Sequence, residues 1–342
     1  MRMRSLRTLG LPLLAGLLVN TWSSGAALAH VKWFCAYDLA GAPRGLEQVL
    51  CPDFEKFVAL SIGALILGCY LEYSSAGGVL LHSLNRSTAW IRANIETIFR
   101  ATAGFFLVSL WNLGGTILTP ELKTDLDFIP WIQLGMAACL LWRRTLPVVS
   151  VGIVGLFAYA VSKYGAFHLA DYPVFLGVAA YLALTGLGRT LWGARPVDVM
   201  RWSASITLMW ASVEKWAFPY WSFPLLEQKP EIAFGFDAET YMLAAGVVEF
   251  VLAFALIWTP LVRRAAAAML IGIFISAVFA FGKIDAIGHA LIIAALLAVL
   301  VDDAPAKVRV RHVALAPLAY GAALALFMLV YYEGHRVVFN VI

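Results

Sequence analysis

The sequence predicts an all-α membrane protein with about ten transmembrane helices, and two observations support this fold class. Of the 342 residues, 62% are hydrophobic and 13% are charged, which is more apolar surface than one water-soluble core can bury. The apolar runs are continuous over helical lengths and do not alternate every second residue, so they indicate helices and not barrel strands. The lipid bilayer is therefore the expected partner, and nothing indicates nucleic acid.

Residues 1–29 have the pattern of a cleavable signal peptide. A basic start precedes an apolar stretch from Leu9 to Trp22, and small residues follow up to Ala29. Cleavage after Ala29 would make His30 the N-terminal residue. The alternative is an uncleaved signal anchor, which the sequence favours less because the apolar stretch is shorter than the ~20 residues of a spanning helix.

Ten apolar segments follow this signal, each of about the length that a bilayer requires. The segments are 57–80, 97–118, 127–142, 145–163, 172–190, 199–218, 241–259, 265–282, 286–301 and 313–332. They predict a periplasmic N-terminal segment (30–56), a first helix with its cytoplasmic loop (57–95), two four-helix units (96–192 and 193–303), and a C-terminal helix with a short periplasmic tail (304–342).

The distribution of charge supports an orientation for these helices. If the mature N-terminus is periplasmic, the segments on the cytoplasmic side hold thirteen basic and four acidic residues, whereas the outside segments hold nine basic and fifteen acidic residues. Basic residues are retained on the cytoplasmic side during insertion. We therefore predict a multi-pass protein of a bacterial inner membrane, with both mature termini in the periplasm.

The two four-helix units share an order of features that indicates an internal duplication. Each has an arginine at a cytoplasmic helix start (Arg100 and Arg201), a tryptophan about ten residues later, an Arg-Arg pair, and a polar periplasmic corner before its last helix. Because each unit has four spans, both units have the same orientation. The predicted architecture is thus two tandem parallel units with one flanking helix at each end.

Three motifs of the second unit resemble a known family. MWASVEKW lies in its first helix, AGVVEF in its second, and GKIDAIGHALIIAALL leads into its fourth. With these motifs, residues 96–302 resemble the DoxX/DoxD-like superfamily of four-helix membrane proteins. Its members include a membrane subunit of a thiosulfate:quinone oxidoreductase, and many have no assigned activity. This chain departs from the superfamily by its tandem units and its exported N-terminal stretch, so the activity of a single member is not carried over.

Clustered ionisable residues near the outer helix ends predict a ligand site, because charged groups close to hydrocarbon are usually paired or functional. The alternative is that lysines snorkel to the interface and acids close the helix ends. The residues are Lys163, His168 and Asp171 in one corner, Lys283, Asp285 and His289 in the other, and Glu214 with Lys215 at the end of the sixth span.

Glu249 differs from these residues because it lies in the middle of the seventh span, within GVVEFVLAF. It should face the helix bundle and meet a partner such as Lys215 or an indole of the sixth span. A protonated carboxyl that is only hydrogen-bonded is the alternative.

Four histidines on the predicted outer face are candidate metal ligands. An N-terminal histidine offers its α-amino and ring nitrogens together, and a second histidine would complete a nitrogen set that suits copper. In this respect HVKWF loosely resembles the histidine brace of copper proteins, which include a subunit of particulate methane monooxygenase. The alternative is that these histidines are hydrogen-bonded at the interface or solvated. The candidates are His30, His168, His289 and His335.

Two cysteines, Cys35 and Cys51, lie in the predicted periplasmic segment. An oxidising periplasm favours a disulfide between them, which would contribute ~3 kcal/mol by the chain-entropy estimate. Two free thiols are the alternative.

These features predict a redox-associated membrane protein with a periplasm-facing quinone-like or metal (copper) ligand near Glu214, Lys215, Glu249 and His289. Such a protein would work with a membrane or periplasmic redox partner. A transporter for a small solute is the first alternative, suggested by the duplication and by Glu249. A structural subunit without a ligand is the second, and no catalytic motif indicates an enzyme.

Overall fold

The computed structural model describes residues 31–304, 313 and 315–340, and this part of the chain is helical without a named β-strand. The predicted signal peptide and His30 lie outside the described residues. The longer helices are α1 (Pro52–Tyr73), α2 (Ser75–Ser87), α3 (Ala89–Leu113), α4 (Ile129–Cys139), α5 (Leu146–Tyr164), α6 (Pro173–Leu187), α7 (Pro196–Ala217), α8 (Ala238–Ala255), α9 (Pro260–Phe281), α10 (Lys283–Val301) and α11 (Leu315–Phe339).

Each predicted apolar segment overlaps one of these helices, but the count of about ten spans is not reached. Among the described residues, six helices are long and apolar enough to cross a membrane: Pro52–Tyr73, Arg143–Tyr164, Ala238–Ala255, Pro260–Phe281, Lys283–Val301 and Leu315–Phe339. The helices α4 and α6 have only 11 and 15 residues, or ~16 and ~22 Å at 1.5 Å per residue, against ~30 Å of hydrocarbon. The helices α3 and α7 are long enough but contain several charged residues.

The boundary of the first predicted span, 57–80, is also wrong. The helix α1 ends at Tyr73, and Ser74 adopts an extended conformation. The Ser74 hydroxyl then accepts a hydrogen bond from Gly77 N at 3.2 Å, which caps the start of α2. A serine favours such a cap because its side chain satisfies one of the free N–H groups of the first turn.

The chain divides into two compact units. The first contains residues 31–33, Trp90–Ala204 and Ile271–Ala298, and the second contains Phe34–Ala89, Ser205–Leu270 and the described part of Val299–Ile342. The helices α7, α9 and α10 contribute residues to both units. The chain therefore passes from one unit to the other several times, and neither unit is one continuous stretch of sequence.

In the first unit, aromatic contacts and small residues bring the helices together. Phe99 and Phe106 of α3 contact Tyr181 and Phe175 of α6, with ring centroids 4.5 and 6.1 Å apart. A methyl group added at Gly177 of α6 would overlap the side chain of a serine in α7, Ser203. Close helix packing in membrane proteins commonly requires a small residue at such a position.

Arginine side chains close two helix ends in the first unit. Arg100 Nε donates to Leu140 O at 2.7 Å, at the end of α4, and Arg143 Nε donates to Thr185 O at 3.1 Å, in the last turn of α6. The last carbonyls of a helix have no partner within the helix, and a cation complements the negative end of the helix dipole. These arginines therefore stabilise helix ends.

The second unit has a tryptophan at its centre. Trp216 of α7 contacts Phe54 of α1 and Phe250 of α8, with ring centroids 5.1 and 5.9 Å apart. Its Nε1 donates to Leu243 O at 3.3 Å, and the absence of a side chain at Gly246 leaves room for the indole. The large apolar ring is thus buried while its polar N–H keeps a partner.

Glu72 caps a helix in the second unit. Its Oε2 accepts hydrogen bonds from Thr259 Oγ1 at 2.5 Å, Leu261 N at 3.0 Å and Val262 N at 3.3 Å, at the start of α9. A carboxylate at a helix N-terminus satisfies free N–H groups and complements the dipole. This contact explains an acidic residue near the end of an otherwise apolar helix.

Within the second unit, polar contacts hold residues 38–44 against α8 and α11. His335 Nε2 lies 2.8 Å from Leu39 O, and Tyr332 donates its hydroxyl proton to Arg44 O at 2.9 Å. The Arg44 guanidinium also donates to Glu239 Oε1 at 2.7 Å. The sequence that follows the predicted cleavage site is therefore docked and is not a solvated tail.

Asp237 caps α8, and its replacement by alanine should lower the thermal unfolding midpoint at pH 7 by ~2 °C. Its carboxylate accepts a hydrogen bond from Thr240 N at 3.0 Å, and this bond lowers the pKa of the carboxyl group. Because the folded protein binds this proton less readily than the unfolded chain, the stabilisation is present at neutral pH and is lost as the pH falls through the folded-state pKa. Midpoints of Asp237→Ala and wild type should converge in acid. A pH-independent difference would contradict this.

Candidate functional site

Six buried ionisable residues of the first unit form one lysine–carboxylate ion pair and two histidine–carboxylate pairs, which together we call the corner cluster. Each of these residues is at least nine-tenths buried. The pairs are Glu121 with His168, Lys32 with Asp171, and Asp285 with His289. Charged groups removed from water are costly unless they are paired, so the pairing is what the burial requires.

Glu121 and His168 form the shortest histidine–carboxylate contact of this cluster. His168 Nε2 lies 2.6 Å from Glu121 Oε1, and the two side chains are 5% and 1% exposed. His168 belongs to a short helix, Ala166–Leu169, at the corner between α5 and α6. Its ring stacks on Tyr172, with centroids 6.5 Å apart and an angle of 26° between the planes. The imidazole is thus held by a carboxylate at its edge and by an aromatic ring on its face.

Lys32 and Trp33 connect the two predicted corners. The ammonium group of Lys32 is paired with Asp171 Oδ2, close in sequence to His168. The neighbouring residue, Trp33, packs its ring against His289, with centroids 5.0 Å apart. A side chain at Gly288 would overlap this indole. Two consecutive residues of the N-terminal stretch therefore contact both corners.

Asp285 and His289 form the third pair, one helical turn apart in α10. His289 Nδ1 lies 2.9 Å from Asp285 Oδ2. The rings of Trp33 and Phe274 both contact the imidazole, at centroid distances of 5.0 and 4.6 Å. In Asp171 and Asp285, the other carboxylate oxygen, Oδ1, is buried without a hydrogen-bond partner in the described part of the chain.

A small apolar cavity lies in the same unit. Phe106, Leu118, Phe175 and Leu291 are among the side chains that line it. Phe175 contacts Tyr172, with ring centroids 6.0 Å apart, and Leu291 follows His289 by two residues. Apolar space thus adjoins the elements that hold the ion pairs.

The second unit contains the other predicted group. Lys215 Nζ lies 2.9 Å from Glu249 Oε2, with side chains 26% and 16% exposed, so Lys215 is the one of the two predicted candidate partners that contacts Glu249 here. Glu214 is buried, and the Tyr331 hydroxyl donates to its Oε1 at 3.5 Å. These residues belong to the second unit, whereas His289 belongs to the first.

Some predicted site residues lie elsewhere. Lys163 Nζ is 3.7 Å from Asp125 Oδ2, and Asp125 is fully exposed, so Lys163 forms a surface pair. Lys283 is the first residue of α10 and is half-buried. His335 is buried against Phe218 and Phe339, with centroids 5.6 and 4.8 Å away, besides its contact with a backbone carbonyl.

The metal and disulfide hypotheses gain no contact from the structure. Among the described residues, no three His, Cys, Asp or Glu side chains form a group that could hold a metal ion. The brace hypothesis depends on His30, which is outside those residues. Cys35 and Cys51 are free cysteines of intermediate exposure, and partial burial raises the pKa of the Cys35 thiol. The disulfide between them stays a prediction.

Sequence analysis missed two members of the corner cluster, Lys32 and Glu121. Lys32 is 139 positions from Asp171, and Glu121 is 47 positions from His168. Pairing at such separations leaves no periodic signal in one sequence. Lys32 had one indication, because it is the third residue after the predicted cleavage site and the first lysine or arginine of the mature chain.

Comparison with protein-family models, with curated proteins and with solved structures found no match for this chain. The described residues define an all-helical protein with several helices that are long and apolar enough to span a bilayer. The chain is thus a multi-pass membrane protein, distinguished by three buried pairs of ionisable side chains in one of its compact units.

Proposed function

We propose that this chain is a redox-associated protein whose corner cluster binds a flat, quinone-like ligand and exchanges protons with it. The observation that carries this proposal is the buried Glu121–His168 pair, with 2.6 Å between Nε2 and Oε1. Reducing a quinone to a quinol requires two electrons and two protons. Histidine–carboxylate pairs transfer protons near neutral pH, and a membrane or periplasmic redox partner would supply or accept the electrons.

The surroundings of the two imidazoles support a flat ligand. Tyr172 stacks on His168, and Trp33 and Phe274 flank His289. Aromatic walls with a few polar groups are typical of sites for small planar molecules. The DoxX/DoxD-like resemblance of residues 96–302 favours the same class of ligand, because that superfamily includes a membrane subunit of a quinone-linked oxidoreductase.

Replacing His168 by glutamine should weaken the binding of decylubiquinone at least ~tenfold, because the variant loses the imidazole that is hydrogen-bonded to Glu121. The measurement is saturable quenching of tryptophan fluorescence in the purified full-length protein, with Trp33 as the reporter next to the cluster. The matched control is His82→Gln, since His82 is exposed and lies outside the cluster.

The control variant should bind decylubiquinone like the wild type. An unchanged dissociation constant in monodisperse His168→Gln protein would refute the proposed ligand site. If the wild-type protein shows no saturable quenching, the result favours the alternative of a structural subunit without a ligand.

A transporter is the second candidate function, and the Lys215–Glu249 pair favours it. Glu249 lies inside α8, one of the apolar helices that are long enough to span a membrane, and both partners remain partly exposed. An ionisable pair inside a spanning helix is a common element of proton and solute pathways. Partial exposure would allow a proton or a solute to reach the pair.

If Glu249 serves transport, the wild-type protein in liposomes should accelerate the decay of an imposed pH gradient, and Glu249→Gln should abolish this acceleration. Amide replacement keeps the shape of the side chain but removes the group that binds the proton. Trapped pyranine reports the internal pH. Glu333→Gln is the control, because Glu333 is an exposed acid paired with Arg336 in the last helix. Equal decay in wild-type and empty liposomes would reject this function.

The proposed setting is a bacterial inner membrane, with a removed signal peptide, two tandem parallel units, and both mature termini in the periplasm. Related contacts support the duplication. Arg143 of the first Arg-Arg pair donates to Thr185 O near the end of α6, and Arg264 of the second donates to Leu300 O, at 2.6 Å, near the end of α10. In each case an arginine just before or near the start of the third helix of a predicted unit caps the fourth helix.

Alkaline phosphatase fused after Asp127 should be active, whereas the same enzyme fused after Arg144 should be inactive, because it folds only in the periplasm. N-terminal sequencing of the purified protein should begin at His30. Activity after Arg144, or a chain that still starts with Met1, would contradict this orientation.

A further inference from the structure

The segment between α3 and α4 is buried but not helical. After Gly114 and Gly115, which both adopt left-handed conformations (φ +63° and +57°), residues 116–122 are all buried. Irregular backbone within a membrane protein is tolerated where protein surrounds it or where it lines a polar cavity. Hydrogen bonds within the loop and from α4 show that protein surrounds this segment.

The backbone of the loop is held by hydrogen bonds. Ile117 N donates to Leu122 O at 2.8 Å, and Leu122 N donates to Thr119 O at 3.1 Å, which closes a tight turn. From α4, Gln133 Nε2 donates to both Thr116 O at 2.8 Å and Ile117 O at 2.7 Å. Loop and helix are thus joined through one side-chain amide.

Four side-chain oxygens around this turn have no hydrogen-bond partner among the described residues. They are Thr116 Oγ1, Thr119 Oγ1, Glu121 Oε2 and Gln133 Oε1. Their residues are 1%, 1%, 9% and 0% exposed. The orientation of Gln133 is set by chemistry, because exchanging its nitrogen and oxygen would point an oxygen at two carbonyls. Its Oε1 must therefore accept from, or coordinate, something else.

Buried polar atoms without partners are rare in folded proteins, and an unseen water or ion is a common explanation. Three features of this group favour a cation. The Gln133 and Glu121 oxygens can only accept or coordinate, the two hydroxyl oxygens can coordinate as well, and the acidic residue brings one negative charge.

We infer that the loop between α3 and α4 is a binding site for a monovalent cation of the size of Na⁺, coordinated by Thr116, Thr119, Glu121 and Gln133. A single carboxylate balances one positive charge, whereas Ca²⁺ sites usually use several acidic ligands. The site goes beyond the proposed ligand of the corner cluster. The two share Glu121, whose Oε1 faces His168 and whose Oε2 belongs to the cation site.

The test is the thermal unfolding of the full-length protein in NaCl and in choline chloride at equal ionic strength. With Na⁺ at about ten times its dissociation constant, the midpoint should be ~2–4 °C higher in NaCl. The double variant Thr116→Val/Thr119→Val should lose this difference, because valine keeps the shape but removes the oxygen. The control Thr102→Val should keep it, since the Thr102 hydroxyl already bonds to Ile98 O at 3.0 Å within α3.

A second readout avoids variants that fail to fold. In wild-type protein, Na⁺ should slow amide hydrogen exchange in residues 115–124 relative to choline. Equal exchange in both salts would overturn the inference and leave bound water as the partner of these oxygens. Stabilisation by CaCl₂ and not by NaCl would also overturn it, because the site would then select a divalent cation. Decylubiquinone quenching in the double valine variant should stay at the wild-type level, so failure of the cation site and failure of the ligand site are distinguishable.

Discussion

The cost of removing charge from water governs the structure, because a charged group away from water needs a partner inside the protein. In the first unit this requirement produces the three pairs of the corner cluster. In the second unit it produces the contact of Lys215 with Glu249 and that of Arg263 with Asp302, at 2.9 and 3.0 Å. Lys215 and Glu249 join two helices, and most of the other pairs join a helix to a loop, so the contacts that neutralise charge also help to fix how these elements pack.

Unsatisfied backbone groups at helix ends impose a similar requirement. Arginines close the ends of α4, α6 and α10, and Glu72 closes the start of α9. These side chains allow helices to end inside the protein without water, which explains how elements as short as α4 can be accommodated. The buried loop before α4 follows the same rule, because Gln133 supplies the donors that its carbonyls need.

In the corner cluster, residues of the proposed ligand site also hold the N-terminal stretch in place. Lys32 and Trp33, the third and fourth residues after the predicted cleavage site, contact Asp171 and His289 on two different corners. A site that needs these two residues is complete only when the N-terminal stretch is docked. The remaining members, led by the Glu121–His168 pair, combine a proton-binding group with an aromatic wall, which is the combination that a planar redox ligand requires.

The sequence by itself determined the class of protein and the approximate positions of the long apolar helices, because apolar length is a local signal. It also limited the partners of Glu249 to a few candidates, since an isolated mid-span charge needs a partner, and the structure places Lys215 against it. It could not determine that Lys32 pairs with Asp171 or Glu121 with His168, since such pairs depend on which loops meet in space. It also overstated the number of spans, because short apolar helices such as α4 resemble longer ones within a hydropathy window. Only the tertiary structure decided which polar residues share a site, because packing brings together side chains that are far apart along the chain.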